Sequence, residues 1–179
     1  SDWSSDVCSS DLELAKICAD LGQRGFVGKV VMDDKTMNPN FYRDYSTKEA
    51  LKNTEQFIKD VTALGKNVPQ GVYPVITPRF VPSCTDEALK GLGVLAKKYN
   101  TYIQSHCSES DCEHNFVSER FGRRDTEVLA SFGLLTDKAV MAHGNFINSS
   151  DAKIFSHNHS SVCHCPISNS YFANAVLPV

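Results

Sequence analysis

Residues 101–109 read TYIQSHCSE, and this stretch decides the fold because a short apolar run leads directly into His106. Two later runs repeat the arrangement: AVMAH ends at His143, and SVCH ends at His164. Short apolar runs bounded by turn residues are typical of buried strands. The carboxyl ends of neighbouring parallel strands meet at one mouth of a sheet or barrel. We therefore expect the three histidines to share one site.

Helical and strand patterns alternate along the chain. Predicted helices cover 13–21, 46–64, 83–99, 109–132 and 150–157, and predicted strands cover 26–32, 72–77, 101–105, 139–142 and 161–163. This alternation predicts an α/β fold with a parallel sheet. No glycine-rich phosphate loop follows a strand, whereas chemistry-bearing residues follow several, which favours a (β/α)8 TIM-type barrel. Because a closed barrel takes eight units and about five are present, we predict an incomplete barrel.

Composition and charge narrow the class of protein. The 179 residues are 41% hydrophobic and 22% charged, the balance of a globular domain. The net charge of −3, without a cluster of lysine and arginine, argues against a nucleic-acid surface. No stretch has the length and apolarity of a membrane span, and the N-terminus lacks the regions of a signal peptide. We expect a cytoplasmic protein that acts on a small molecule.

Residues 1–12 are expected to lie outside the domain. They read SDWSSDVCSSDL, repeat a Ser-Ser-Asp unit and show neither helical nor strand periodicity. The stretch is similar to translated sequencing adapter, and the alternative is a disordered polar tail. Residues 13–179 are then the partial barrel domain.

The seven cysteines are an odd number without a framework spacing, so most are expected to be reduced. One alternative is a small zinc-binding module built on Cys107, Cys112, Cys163 and Cys165. No second pair of ligands with zinc-finger spacing accompanies the Cys-His-Cys run at 163–165. Packed strand cysteines are therefore the favoured interpretation.

The chemistry expected at the histidine site is metal-assisted hydrolysis. The imidazole of His106 is a typical zinc ligand, and Glu109 lies where it can move the protons of an activated water. His143 would hydrogen-bond that water or the developing tetrahedral centre, or else bond a backbone carbonyl as a buried histidine. His164 either contacts the ligand or ends its strand by bonding the turn that Asn169 shapes.

Arg79 and Phe80 follow the strand predicted at 72–77. A planar guanidinium beside an aromatic ring suits a flat heterocycle such as a purine. The alternative is a surface arginine next to a core phenylalanine.

Other histidines are expected to be ordinary surface residues. His157 and His159 fall at the end of a helix, not at the carboxyl end of a strand. Glu113 and His114 fall in a charged helix and are expected on its solvated face.

Four segments carry a family resemblance through their order and spacing. They are TPRF at 77–80, QSHCSE at 104–109, MAHG at 141–144 and HCPISN at 164–169. Together they resemble the guanine deaminases of the zinc amidohydrolase superfamily. The HxxE and HCPxSN patterns are shared with related aminohydrolases, whereas TPRF points to guanine. The resemblance covers residues 13–179.

This resemblance implies a role for each candidate residue. His106 would bind one zinc ion and contact the substrate, and Glu109 would contact the substrate and shuttle protons. His143 would partner the hydrolytic water, and Arg79 with Phe80 would recognise guanine. The implied reaction, part of purine catabolism, converts guanine and water to xanthine and ammonia. The resemblance also implies a homodimer for the full-length protein.

The sequence departs from the family pattern in its metal ligands. In that family an HxH pair on the first barrel strand and an aspartate on a later strand complete the zinc site, and neither segment occurs here. Because zinc takes three or four protein ligands, we predict that these 179 residues are an inactive central fragment. The alternatives are another purine or pyrimidine aminohydrolase and a non-catalytic amidohydrolase-like binding protein.

Overall fold

A parallel sheet forms the centre of the computed structural model, which describes residues 3–178, with side chains from Ser10 onward. Its strands are Gly25–Val27 (β1), Val30–Val31 (β2), Val72–Pro78 (β3), Tyr102–Cys107 (β4), Ala139–His143 (β5) and Ser161–Cys163 (β6). The spatial order is β1-β3-β4-β5-β6, and β2 also pairs with β3. All these pairings are parallel, so the carboxyl ends of the strands lie at one edge.

Helices connect the strands. They are Trp3–Asp20 (α1), Thr47–Gly65 (α2), Asp86–Tyr99 (α3), Asp111–Phe121 (α4), Asp125–Ser131 (α5), Ser149–His157 (α6) and Pro166–Ser168 (α7). A 3-10 turn covers Val81–Ser83, and a π-helical turn covers Asn169–Ala173. The predicted α/β alternation over five units is confirmed.

Between residues 3 and 178, no helix combines the length and apolarity needed to cross a membrane.

Local hydrogen bonds set the ends of the helices. The Ser46 hydroxyl accepts the N–H of Glu49 at the start of α2, and the Thr85 hydroxyl accepts the N–H of Ala88 at the start of α3. Asn100 adopts a left-handed conformation (φ 49°) just after α3. Such caps satisfy backbone groups that a helix leaves unpaired, and they are encoded by a few neighbouring residues.

The main core lies between the sheet and its helices. Its fully buried side chains come from both layers and include Ile76, Leu89, Ile103, Leu129 and Met141. A smaller core joins α1 to β1 and α2, through residues such as Ala15 and Phe57. Burial of these apolar side chains is the main term that stabilises the fold.

The side chains of strand β4 alternate between the two faces of the sheet. Ile103, Ser105 and Cys107 are buried on one face, whereas Gln104 and His106 are half-buried on the other. This alternation is the strand period of two. It directs the imidazole of His106 away from the main core.

The strand predicted at 26–32 is interrupted at Gly28 and Lys29, which separate β1 from β2. A side chain at Gly28 would collide with the hydroxyl of Thr77 and the backbone of β3. Lys29 is buried, and its ammonium group binds the carboxylate of Asp44. The prediction of one continuous strand was wrong because this close approach and this ion pair are tertiary contacts.

Helix α1 begins at Trp3, whereas the sequence pattern predicts its start at Glu13. Leu12 packs against the smaller core. The helix is therefore continuous through residue 12, and the side chain at that position contacts the folded domain. Residues 1–12 show no helical periodicity, so the sequence pattern did not predict this part of the helix. Residues 1 and 2 lie outside the part of the chain that the structure describes. The division of the chain at residue 12 stays a prediction.

Removal of Asp44 should destabilise the fold strongly. The Lys29 ammonium lies 2.6 Å from Asp44 Oδ1 and 3.0 Å from the carbonyl oxygen of Val30, and the lysine side chain is 2% exposed. Asp44→Ala would remove the carboxylate that is directly paired with this buried cation, so we expect the free energy of unfolding in urea to fall by about 3–5 kcal/mol.

The control for this measurement is Glu13→Ala, which breaks the exposed ion pair between Lys16 and Glu13. Exposed pairs contribute about 0–1 kcal/mol, so this variant should unfold near the midpoint of the unaltered chain. Equal midpoints for Asp44→Ala and Glu13→Ala would show that the buried pair has no special role.

Candidate active site

Two histidines from neighbouring strands meet at the carboxyl edge of the sheet. His106 lies in β4 and His143 ends β5, and the pairing of these strands sets Cys107 opposite His143. The two imidazole rings are stacked, with centroids 5.4 Å apart and planes 19° from parallel. The structure therefore brings together the first two of the three predicted strand-end histidines.

The backbone of His143 has an unusual conformation, with φ at 78°. By strand alternation, His143 belongs to the same face as Ala139 and Met141, which are buried in the main core. Its ring nevertheless stacks on His106, which lies on the opposite face of the sheet. A left-handed conformation in a non-glycine residue persists only where surrounding contacts impose it, and such residues cluster at functional sites.

Hydrogen bonds fix the ring of His143. Its Nδ1–H donates to Asn169 Oδ1 at 2.8 Å, and its Nε2 lies 3.4 Å from Glu109 Oε1. Because Nδ1 carries a hydrogen, attraction between Nε2 and the carboxyl oxygen requires a proton on one of the two groups. The His143 side chain is 6% exposed and that of Glu109 is 30% exposed, so solvent can reach the carboxylate.

His106 is oriented by the backbone of the preceding strand. Its Nδ1 lies 2.5 Å from the carbonyl oxygen of Arg79, which can only accept, so Nδ1 carries the hydrogen. Nε2 is then the nitrogen with a lone pair. This arrangement, with one ring nitrogen donating to a carbonyl, is typical of histidines that bind metal through the other nitrogen.

One metal ligand is therefore available, but not a complete ligand set. Within residues 10–178, no three side chains of His, Cys, Asp or Glu are close enough to hold a metal ion together. Zinc sites in proteins use three or four such ligands. The residues present fit one position of a zinc site, at His106.

Arg79 and Phe80 lie at the same edge, directly after β3. The N–H of Arg79 donates to the carbonyl oxygen of Val31, and its guanidinium carbon lies 5.4 Å from the centroid of the Phe80 ring. Arg79 is exposed and Phe80 is half-buried. The carbonyl of Arg79 also binds His106, so the cation-aromatic pair adjoins the two histidines.

The third strand-end histidine is attached to the site through Asn169. His164 is exposed, and its Nδ1 lies 3.4 Å from Asn169 Nδ2. The amide of Asn169, which is buried, thus accepts from His143 and donates to His164. Of the two sequence alternatives for His164, the structure contains the bond to Asn169.

The expectation of a solvated face at Glu113 and His114 was wrong. Glu113 is 4% exposed, and its Oε2 accepts the N–H of Glu109 at 2.8 Å. His114 is half-buried, with Nε2 3.2 Å from the guanidinium of Arg124. The charged sequence of α4 predicts a solvent-facing helix, but α5 packs against α4 and removes these groups from water.

Asn145 and Asp125 are further residues at the site that sequence reasoning missed. Asn145 Nδ2 donates to the carbonyl oxygen of Glu109 at 2.8 Å. Asp125 is fully buried, and its Oδ2 accepts the hydroxyl of Ser108 at 2.7 Å. The only sequence signal for Asn145 is its place two residues after the strand-end His143, and Asp125 carries no such signal.

Burial raises the pKa of Glu113 to about 8, and the neighbouring negative charge of Asp125 adds to this effect. The N–H of Glu109 acts in the opposite direction because it favours the ionised carboxylate. Its second oxygen, Oε1, is buried without a hydrogen-bond partner. Glu113 is therefore a neutral carboxylic acid in the folded chain below about pH 8.

The remaining candidate ligands lie apart from the histidine pair. Cys107 is enclosed in the core, whereas Cys112 and Cys163 are exposed, so these thiols do not share one site. His157 and His159 are exposed at the end of α6.

The chain belongs to the amidohydrolase family, whose profile matches residues 4–179. This assignment agrees with an open parallel α/β sheet that carries histidines at its carboxyl edge. It also confirms the predicted fold class, because the chain superimposes on an arc of the TIM-type barrels of this family.

Within this family the chain is a homologue of guanine deaminases. It is 41% identical over 172 residues to the guanine deaminase of Mus musculus and 36% identical over 168 residues to a probable guanine deaminase of Schizosaccharomyces pombe. These alignments cover 95% and 93% of the chain but 37% and 31% of the relatives. The chain therefore spans about a third of the length of these relatives.

A solved structure of a guanine deaminase from C. acetobutylicum, with guanine bound in its active site, matches the fold with a TM-score of 0.86. The two sequences are 32% identical, and the match covers 96% of this chain and 40% of the other.

Glu113 should make the stability of the fold depend on pH. Its folded-state pKa of about 8 exceeds the ordinary value of 4.5, so the folded state keeps a proton that the unfolded chain loses above pH 4.5. Stability should therefore fall as pH rises from 4.5 to 8 and then level off. Glu113→Gln removes this titration. As pH rises from about 6 to about 8, the free energy of unfolding of Glu113→Gln should therefore increase by roughly 2 kcal/mol relative to that of the unaltered chain.

Urea denaturation at several pH values measures this effect. The matched control is Glu127→Gln, because Glu127 occupies the same position in α5 but is exposed. Parallel pH profiles for the unaltered chain and Glu113→Gln would refute the expected proton uptake.

Proposed function

We propose that this chain is the central part of a zinc-dependent guanine deaminase that converts guanine and water to xanthine and ammonia. The observation that carries the proposal is the contact between Glu109 and His143, 3.4 Å apart, beside His106 at the carboxyl edge of the sheet. The relatives that are guanine deaminases support the substrate. The proposed residues are Glu109 and His143 for catalysis and Arg79, Phe80, His106 and Glu109 for substrate contact.

Glu109 is the group that moves protons in this proposal. It accepts one proton from the attacking water, whose oxygen bonds to C2 of the purine, and delivers that proton to the ring nitrogen N3. It then takes the second proton of the same oxygen and gives it to the amino group as the bond from C2 to nitrogen breaks. The two protons of water end on N3 and on ammonia, so the reaction balances. A partly exposed carboxylate beside a fixed imidazole suits this double transfer.

His143 holds the attacking water. Because Asn169 accepts from Nδ1, only Nε2 is directed to Glu109 and the reacting centre. A ring held in one orientation offers a preformed partner and needs no reorganisation during the reaction. His143 therefore hydrogen-bonds the attacking oxygen while Glu109 carries the protons.

Arg79 and Phe80 recognise the purine. The guanidinium can donate to the carbonyl oxygen and a ring nitrogen of guanine, and the phenyl ring supplies a flat apolar contact. Adenine lacks the carbonyl oxygen, so this pair favours guanine.

Zinc would be held by Nε2 of His106 together with ligands outside these residues, and when bound it makes a water molecule more acidic. With one ligand, the 179 residues alone should bind zinc weakly and lack activity. We place the barrel portion at residues 13–179 and treat 1–12 as outside it. The full-length protein is proposed to be a cytoplasmic homodimer.

The substrate assignment predicts distinct effects of two substitutions in the full-length protein. Glu109→Gln removes the proton carrier, so kcat for guanine should fall about 10²–10⁴-fold. Arg79→Ala removes a charged hydrogen-bond donor to the substrate, so KM for guanine should rise about tenfold to a hundredfold. Release of ammonia from guanine, adenine and cytosine measures both effects.

Arg24→Ala is the matched control. The Arg24 guanidinium also lies beside an aromatic ring, 5.9 Å from that of Tyr73, but at the amino edge of the sheet, before β1. This variant should keep the KM of the unaltered protein. Preference for adenine or cytosine would support another aminohydrolase, and absence of any deamination would support a non-catalytic binding protein.

A further inference from the structure

The turn that carries Glu109 has a left-handed residue at its start. Ser108 follows β4 with φ at 51° and is buried, although serine rarely adopts this conformation. Its hydroxyl donates to the buried carboxylate of Asp125 at 2.7 Å. A strained residue persists only where its surroundings impose the conformation, and Asp125 supplies such a contact.

The backbone of Glu109 is held on both sides. Its N–H donates to Glu113 Oε2 in α4, and its carbonyl oxygen accepts from Asn145 Nδ2 after β5, each at 2.8 Å. These two bonds come from different elements and fix the backbone from which the carboxylate extends. Only the side-chain torsions of Glu109 then remain free to set its distance from His143.

The bond from Glu113 differs from the helix caps elsewhere in this chain. In α5 and α6 the carboxylate at the third helical position accepts the N–H of the N-cap residue itself: Glu127 accepts from Arg124, and Asp151 accepts from Asn148. This is the usual capping box. In α4 the N-cap is Ser110, but Glu113, at the same third position, accepts the N–H of Glu109 instead.

Burial of the Glu113 carboxyl group is energetically unfavourable, which indicates that its bond to Glu109 does more than cap the helix. Glu113 is buried, one of its oxygens has no hydrogen-bond partner, and a second buried carboxylate lies nearby at Asp125. The ordinary caps differ in this respect, because Glu127 in α5 is exposed and the buried Asp151 in α6 is paired with Arg124, whereas Glu113 lies beside a like charge. Buried polar groups of this kind are typical of residues that orient a catalytic group.

We propose that Glu113 is a positioning residue that fixes the peptide of Glu109 and thereby aims the Glu109 carboxylate at His143 and the substrate. Asn145 performs the matching function on the carbonyl side. The inference rests on the proposed function, because it assigns the purpose of the arrangement to proton transfer by Glu109. Displacement of a catalytic group by about 1 Å can lower the rate about a hundredfold.

The test compares Glu113→Ala, Glu113→Gln and Asp151→Ala in the full-length protein. Glu113→Ala should lower kcat for guanine about tenfold to a hundredfold and change KM less than about threefold. Glu113→Gln keeps an acceptor oxygen and should restore most of kcat. Asp151 is an equally buried carboxylate at the same position of α6, so Asp151→Ala should lower the melting temperature but keep kcat.

Hydrogen exchange of the Glu109 amide in the 179-residue chain provides a readout independent of catalysis. Protection should be lost in Glu113→Ala and kept in Glu113→Gln and Asp151→Ala. If protection survives in Glu113→Ala, the proposed bond does not hold Glu109 and the inference fails.

The kinetic outcomes separate the two proposals. If the unaltered protein deaminates guanine but Glu113→Ala keeps its kcat, or Asp151→Ala loses as much, the positioning role alone is refuted. If the unaltered full-length protein does not deaminate guanine, the proposed function fails, and the catalytic purpose of Glu113 fails with it.

Discussion

The parallel pairing of β4 with β5 is the constraint on which the candidate site depends. Five consecutive residue pairs fix the register, and the N–H of Gly144 continues it by donating to the carbonyl oxygen of Cys107. This register sets His106 opposite Ala142 and brings the end of β5 beside β4. A shift by one residue would move the side chains of one strand to the opposite face. The register brings the two histidines side by side at the strand ends, and the left-handed backbone of His143 then allows its ring to stack on His106.

A set of buried polar groups then gives this edge of the sheet its shape. Asp125 holds the turn at Ser108, Glu113 and Asn145 hold the peptide of Glu109, and Asn169 holds the ring of His143. Such groups stabilise less than apolar side chains would, because each loses its hydration on burial. Their combined effect is to give the partly exposed carboxylate of Glu109 and the buried imidazole of His143 a defined arrangement. A fold that needed only stability would not require so many buried polar groups beside one turn.

Sequence reasoning succeeded where the signals are local and failed where partners are distant. Helix α2 and strand β3 were predicted within a few residues, because capping residues and apolar periodicity mark them. The first strand was predicted without its interruption, since the buried pair of Lys29 with Asp44 joins residues far apart in sequence. Glu113 was placed on a solvated face because the charged pattern of α4 gives no sign that α5 covers it.

By itself, the sequence determined the order of strands and helices, the parallel α/β class and the strand ends that carry His106 and His143. These features follow from periodicity, caps and turns, which act over a few residues. Only the tertiary structure decided that His143 adopts a left-handed backbone, that Asn169 holds its ring and that Glu113 accepts the N–H of Glu109. Those contacts join separate elements, and their formation depends on the packing of the whole sheet against its helices.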